Sequence, residues 1–463
     1  IRALPVLLQY QRGNFRLDML SSGKMATQLF PMLSLATGID KGTSKSIIDV
    51  RRRRVISAAV GAGNTTSSAH RSFASNWQNL NGKDHWKGLL DPLDADLRQY
   101  IIHYGELTQA TYDSFNSNKW SKHAGHNFFT ETDFFSKVGL DKASPYKYSV
   151  SKFFYATSSA AVPNRFFLKS MSREAWNKES NWIGYVAVVN DDAKELMGRR
   201  DIVVAWRGTI QALEWSDDFD SILVSAADLF GKKDNQDTMI HDGFKKLYTT
   251  TDPRSTLNQI SARDQIAGEV KRLVELYKDE EISITVTGHS LGAAMATLTA
   301  ADIIINKVNK PASNPGKPCP VTAIVFASPK LGDKSLMKTC ANYDELRILR
   351  IRNNNDSVPD TPLFGFSECG EVLHIDTTKS PYLKPTSNKG DYHNLEGYLH
   401  GVAGTQGSKG GFNLEIPRSL GLVNKSMDGL KDEYHVPPCW WTLQNKGMTQ
   451  LDDGSWELID YNL

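Results

Sequence analysis

One short segment constrains the fold more than any other, because it joins a predicted buried strand directly to a helix through a serine. Residues 282–287 are rich in β-branched side chains and predict a strand. They run into Gly288-His289-Ser290-Leu291-Gly292, and a helix of small residues is predicted over 291–305. A serine in such a turn presents its hydroxyl above the sheet. The pattern predicts Ser290 as a nucleophile, and the alternative interpretation is an ordinary serine N-cap.

The chain around this segment alternates strand and helix patterns, which is typical of α/β proteins with parallel strands. We predict an α/β fold with a mostly parallel central sheet, flanking helices, an N-terminal helical part and a C-terminal β appendage of two or three antiparallel strands on the main sheet. The predicted strands are residues 183–189, 202–206, 282–286, 321–326 and 346–351, and the predicted helices are residues 97–115, 266–277 and 291–305.

A carboxylate for the serine should follow it in the chain, at the end of a later strand. Asp356 lies in the loop after the predicted strand at 346–351 and is our choice for this acid. An Asx turn is the purely structural alternative for Asp356, and Asp360 is the rival acid.

A histidine must accept the serine proton, because a serine hydroxyl is a poor nucleophile at neutral pH. Four histidines follow Asp356 in the chain: His374, His393, His400 and His435. His393 opens a segment that also ends in a histidine, His400, seven residues later. On a helix these two side chains would share a face, so the spacing alone leaves both open.

An oxyanion formed at Ser290 needs hydrogen-bond donors near the start of the following helix. The predicted strand 202–206 ends in Arg207-Gly208-Thr209, where Gly208 permits a close approach of the backbone. We predict that Thr209 and Leu291 form the oxyanion hole; a simple Gly-Thr turn is the alternative.

Charge divides the chain into two parts. Residues 1–75 carry eleven Lys and Arg against three Asp, a net charge of +8, so the remainder carries −6. We predict a disordered basic leader or transit-like extension over 1–75 and a single catalytic domain over 76–463. A nucleic-acid arm is the weaker alternative, because one Arg block without interleaved aromatics is little support for it. Four cysteines in so long a chain are too few for a disulfide scaffold, and they form no CxxC pair that would indicate a metal site. We therefore expect a cytoplasmic location, or a plastid or other organelle if the extension is a transit peptide.

Several motifs together resemble the class 3 lipases, and most closely the plant phospholipases A1 of the defective-in-anther-dehiscence type, in the subgroup without a plastid peptide. The resemblance extends from about Trp77 to Trp456, and residues 1–75 depart from it. Its motifs are Trp206-Arg207-Gly208-Thr209, His241-Asp242-Gly243-Phe244, Gly288 to Gly292, Phe326-Ala327-Ser328-Pro329, Asn355-Asp356-Ser357-Val358-Pro359, Trp86 to Asp94 and Val436 to Trp441.

This resemblance implies an α/β-hydrolase fold and an acylhydrolase that cleaves the sn-1 ester of phospholipids through Ser290, Asp356 and His393, with His393 preferred to His400. It implies no metal and no organic cofactor. The expected partner is a phospholipid membrane or micelle surface, with no nucleic acid. No apolar run is long enough for a transmembrane segment. Action on neutral glycerides or galactolipids is the alternative function, and a non-catalytic lipase-like scaffold is a further one.

A lid over the site is also implied by the resemblance. Leu213 and Trp215 follow the predicted oxyanion turn, and we expect them to begin a short amphipathic flap that opens at a lipid surface. The alternative is that these side chains pack in the core.

Overall fold

The helices and strands follow the predicted alternation. A computed structural model describes residues 65–162, 166–175, 177–209, 222–231, 237–442 and 444–459, with side chains from Phe73 onward. The helices of this part are α1 (Thr65–Leu80), α2 (Ala95–Asp113), α3 (Phe134–Lys137), α4 (Leu140–Ala143), α5 (Asp191–Met197), α6 (Ala227–Phe230), α7 (Asp242–Thr249), α8 (Ala262–Leu276), α9 (Leu291–Ile305), α10 (Lys334–Ala341), α11 (Lys389–Tyr392) and α12 (Leu395–Gly404). Its strands are β1 (Tyr148–Thr157), β2 (Ser180–Val189), β3 (Arg200–Trp206), β4 (Leu223–Ser225), β5 (Met239–His241), β6 (Ile282–His289), β7 (Val321–Phe326), β8 (Leu346–Asn353), β9 (Glu371–Ile375), β10 (Met448–Gln450) and β11 (Trp456–Leu458).

The central sheet has seven strands in the order β1-β2-β3-β6-β7-β8-β9. The five strands from β3 to β9 in this order are parallel to their neighbours, whereas β1 and β2 are added antiparallel at one edge. The predicted fold class is therefore confirmed. The carboxyl ends of the five parallel strands all lie along one edge of the sheet, perpendicular to the strands. The loops after β3, β6 and β8 therefore lie together at this edge.

Strand β6 shows why both faces of the sheet are covered. Its Ile282, Ile284 and Val286 face the core beneath α7, α8, α9 and α10. The alternate residues Ser283, Thr285 and Thr287 are also fully buried, on the opposite face. Helices α1, α2 and α12 cover that second face. No helix of the described residues is both long and apolar enough to cross a membrane.

The polar residues of β6 belong to a buried network around Asp201 of β3. Ser283 and Thr285 donate to one carboxylate oxygen of Asp201, at 2.7 and 3.1 Å. The hydroxyls of Tyr104 and Tyr148 donate to the other oxygen, at 2.8 and 2.7 Å. A buried carboxylate without partners would destabilise the fold, and these donors replace the water that Asp201 loses on folding.

Helix α1 crosses the predicted domain boundary at residue 75. Phe73 is buried and its ring stacks on Tyr146, with the centroids 5.0 Å apart, and meets Tyr100 edge-on at 5.3 Å. A shortened chain must therefore begin before Thr65 to keep all of α1 and these aromatic contacts.

The C-terminal segment is attached to the helices rather than to the main sheet. The predicted antiparallel appendage is confirmed as the pair β10 and β11. These strands pair only with each other, so the predicted position of the appendage on the main sheet is wrong. Trp440, Trp441 and Trp456 form a cluster in this segment, with ring centroids 4.7 to 5.7 Å apart.

Buried ion pairs hold the preceding residues, 418–425, against the helices on the second face of the sheet. Lys425 pairs with Asp113 at the end of α2, and Arg418 pairs with Glu396 in α12. Arg418 also reaches Glu106 of α2 at 3.4 Å. Separating the partners of such a pair would leave an uncompensated buried charge, which is strongly unfavourable. These pairs therefore hold residues 418–425 in one position against α2 and α12.

Candidate active site

The turn after β6 holds Ser290 in a conformation that few residues other than glycine adopt. Its φ is 59° and its ψ is −127°. A Cβ on Gly288 would lie 2.2 Å from the carbonyl oxygen of Gly292, and one on Gly292 would lie 2.6 Å from that of Trp206. Both glycines are therefore required by the close approach of backbone segments. The turn has the strand-to-helix form in which a nucleophile is presented above a sheet.

The Ser290 hydroxyl does not serve as a helix cap. It makes no hydrogen bond to the first turn of α9, and its Oγ is buried without any hydrogen-bond partner. The N-cap interpretation of this serine therefore fails. An unpaired buried hydroxyl is unfavourable in a folded protein, and such groups concentrate at sites that act on a ligand.

Asp356 and His393 are brought together from two separate loops. Asp356 follows β8, and His393 lies between α11 and α12. His393 Nδ1 lies 2.7 Å from Asp356 Oδ2, and both side chains are buried. The Tyr398 hydroxyl also donates to Oδ2, at 2.6 Å, and the Val358 N–H donates to Oδ1, at 2.9 Å.

The bond to Asp356 decides which nitrogen of His393 is free to accept a proton. A carboxylate can only accept, so His393 Nδ1 carries the hydrogen and the lone pair lies on Nε2. This Nε2 is buried and has no hydrogen-bond partner. Asp356 thus holds the tautomer that a general base needs.

The rival residues lie in other surroundings. His400 Nε2 is 2.7 Å from the Ser380 hydroxyl, and its ring stacks on Phe412. Burial, together with the nearby Arg418, lowers the pKa of His400 to about 3. Asp360 is bound by Arg352 at 2.6 Å. His374 and His435 are both exposed.

Thr209 lies beside the serine turn. A Cβ on the preceding residue, Gly208, would lie 2.6 Å from the carbonyl oxygen of His289, so the two turns are in contact. Thr209 Oγ1 is buried without a hydrogen-bond partner. The N–H of Leu291 lies in the first turn of α9, where helices leave donors without intrahelical acceptors. Leu213 and Trp215, the predicted lid residues, lie outside the described residues.

His289 is a site residue whose role the sequence did not indicate. Its Nε2 lies 2.8 Å from the carbonyl oxygen of His393, and its Nδ1 lies 2.7 Å from the hydroxyl of Tyr112 in α2. Burial and the neighbouring His393 hold the pKa of His289 well below its usual range, so the ring is neutral. A carbonyl only accepts, so Nε2 donates to it and Nδ1 accepts from Tyr112. The ring therefore ties the backbone of His393 to the serine turn.

We expect Tyr112→Phe to lower kcat about threefold to thirtyfold with little change in KM, because His289 Nδ1 loses its donor and the ring that ties the His393 backbone to the serine turn is held less firmly. Steady-state kinetics on a soluble short-chain ester measure this effect.

Tyr185→Phe is the matched control, since the Tyr185 hydroxyl donates to the Leu107 carbonyl at 2.7 Å in the same core. Both variants should lower the melting temperature, and only Tyr112→Phe should lower kcat. Equal kcat values in the two variants would contradict a positioning role for Tyr112.

Comparison with known proteins places the chain in a family. The family model described as Lipase (class 3) matches residues 203–366. The chain is 55% identical to Phospholipase A1-IIgamma of Arabidopsis thaliana over 396 residues, which cover 85% of this chain and 94% of that protein. It is 50% identical to Phospholipase A1-II 1 of Oryza sativa subsp. japonica over 390 residues, covering 84% and 97%. Among solved structures, nonglycosylated Yarrowia lipolytica LIP2 lipase matches with a TM-score of 0.41 and 18% identity, over 64% of this chain and 84% of that one. Because half or more of the aligned residues are identical over nearly the full length of these relatives, the chain belongs to the plant phospholipase A1-II family of class 3 lipases.

Proposed function

We propose that this protein hydrolyses the sn-1 ester of phospholipids through a Ser290-His393-Asp356 triad. The observation that carries the proposal is the Nδ1 to Oδ2 hydrogen bond of 2.7 Å between His393 and Asp356, which leaves His393 Nε2 as a buried proton acceptor. The names of the relatives, all phospholipases A1, support the choice of substrate.

The reaction begins when Ser290 Oγ attacks the ester carbonyl and His393 Nε2 takes its proton. The oxyanion accepts hydrogen bonds from Thr209 and Leu291. Collapse of this intermediate breaks the bond to the glycerol oxygen, which takes the proton from His393 and leaves as a 2-acyl lysophospholipid. Water, deprotonated by the same nitrogen, then releases the fatty acid from Ser290 and restores the hydroxyl.

The substrate reaches the enzyme in an aggregate, because phospholipids with two long chains form bilayers or micelles. We propose that the protein acts at the surface of such an aggregate as a peripheral enzyme. The catalytic loops all lie at one edge of the sheet, which allows that edge to face a lipid layer.

The test is the position of the ester that is cut. A phosphatidylcholine with different sn-1 and sn-2 chains, and its isomer with the chains exchanged, are hydrolysed and the free fatty acids are measured at early times. We expect the sn-1 chain to be released from both isomers. Release that follows the identity of the chain instead of its position, or faster hydrolysis of a triacylglycerol or a galactolipid, would contradict the proposal.

A further inference from the structure

Three large apolar side chains lie exposed close to one another. The exposed fraction is 85% for Phe364, 68% for Leu363 and 54% for Ile222. A Cβ on Gly365 would lie 3.7 Å from Leu223 Cδ1, so the loop that carries Leu363 and Phe364 adjoins the segment that begins with Ile222. We call Ile222, Leu363 and Phe364 the rim patch.

The rim patch lies at the carboxyl ends of the parallel strands, the edge of the sheet that carries Ser290 and that we call the catalytic edge. Its loop begins one helical turn after Asp356, since a short 3-10 helix spans Val358–Asp360 and the loop follows it. The other segment is joined to the start of α7, where the Asp242 N–H donates to the Ile222 carbonyl at 2.9 Å. A surface that contacted the patch would therefore face the edge that carries Ser290.

The loop is held in place at both ends. The Lys330 N–H donates to the Thr361 carbonyl, and the Ser367 N–H donates to the Gly332 carbonyl, each at 2.8 Å. Phe366 is only 8% exposed and its ring lies 5.8 Å from that of His241. One aromatic side chain thus anchors the loop in the protein while its neighbours, Leu363 and Phe364, point outward.

The acidic side chains that flank this loop in the sequence are paired with arginines of β8. Residues 361–367 contain no charged side chain. The carboxylates on either side are paired, Asp360 with Arg352 at 2.6 Å and Glu368 with Arg350 at 2.8 Å. Among the described residues, both carboxylates next to this loop in the sequence are therefore neutralised by an arginine.

We propose that the rim patch is the surface through which this protein docks on a phospholipid bilayer, with Leu363 and Phe364 inserted among the acyl chains. The proposal rests on the proposed function, because a bilayer is the form in which the substrate is presented. Exposed apolar residues that contact water are unfavourable, and a lipid layer removes them from it. Docking through the rim patch places the edge of the sheet that carries Ser290 against the lipid layer that holds the ester.

The test measures binding to phosphatidylcholine vesicles by flotation. All proteins carry Ser290→Ala, so that the vesicles are not consumed. We expect the double variant Leu363→Ser, Phe364→Ser, called the rim-patch pair, to bind vesicles at least about tenfold more weakly. The free energy of burying even one such apolar side chain in lipid is enough for about a tenfold change in affinity. Binding of the parent should persist at high salt, because burial of apolar surface, unlike charge attraction, is not screened.

Leu276→Ser is the matched control. Leu276 is 58% exposed at the end of α8, which leads to the amino end of β6 and so to the opposite edge of the sheet. This variant should bind vesicles like the parent. In the active protein, the rim-patch pair should lose at least about tenfold more activity on vesicles than on a soluble ester.

Two results would overturn the proposal: equal binding of the rim-patch pair and the control, or a concentration-dependent dimer in sedimentation that the rim-patch pair abolishes, which would show that a second copy covers the patch. Vesicle binding in the Ser290→Ala background does not depend on hydrolysis. Failure of the docking surface and failure of the proposed reaction are therefore distinguishable.

Discussion

We expect Ser290→Ala to lower kcat/KM at least about a thousandfold on both vesicles and a soluble ester, because oxyanion donors cannot replace a nucleophile. Its melting temperature should stay close to that of the parent. The Ser290 hydroxyl has no hydrogen-bond partner, so its removal leaves no buried group unsatisfied. Ester hydrolysis and thermal unfolding of the purified full chain measure the two effects.

Ser283→Ala, on strand β6 that leads to Ser290, should instead lower stability and leave activity nearly unchanged. Its hydroxyl donates to Asp201 at 2.7 Å, so the substitution removes a bond to a buried carboxylate and should lower stability by about 1–3 kcal/mol. Hydrolysis should be nearly unchanged at temperatures where the variant is folded. A folded Ser290→Ala protein with near-parental activity would refute the assignment of the nucleophile.

The second large effect is expected for His393→Ala, which should also lose at least about a thousandfold in kcat, because a serine hydroxyl is a poor nucleophile without an imidazole to take its proton. Among the described residues, the His393 ring alone is hydrogen-bonded to Asp356 through a ring nitrogen. Single-turnover measurements on a soluble ester should show that acylation is slowed.

His400→Ala separates the two candidate histidines. His400 is bound to Ser380 and packed on Phe412, so its loss should destabilise the protein and leave the chemical step largely intact. Ser380→Ala removes the same hydrogen bond with a smaller change in volume and serves if His400→Ala does not fold. An inactive, folded Ser380→Ala together with an active His393→Ala would reverse the assignment.

Those parts of the fold that bury continuous apolar runs could be predicted from the sequence. Helix 291–305 and strand 321–326 have the predicted bounds, because both are buried on nearly all sides and their local composition agrees with their surroundings. The positions of Ser290 and Asp356 after strands β6 and β8 follow from the same alternation. Preference for His393 over His400 needed the family resemblance, since seven-residue spacing does not distinguish them.

Contacts between distant segments could not be predicted in this way. Strand β1 escaped notice because register shifts near Val150 and Tyr155 break its alternation. The bond of Tyr112 to His289 joins residues 177 positions apart and leaves no periodic signal. The antiparallel pair β10 and β11 occurs in the C-terminal segment as predicted, but its separation from the main sheet depends on contacts between distant segments that leave no periodic signal.

The left-handed backbone at Ser290 limits how this protein can change by mutation. Holding a residue with a Cβ at φ 59° and ψ −127° costs the folded state about 1–3 kcal/mol, and glycine relieves much of that strain. Ser290→Gly would therefore stabilise the fold and abolish turnover in a single step. Selection for stability and selection for activity act in opposite directions at this position. A lineage released from the need for hydrolysis would lose this serine while it kept the fold.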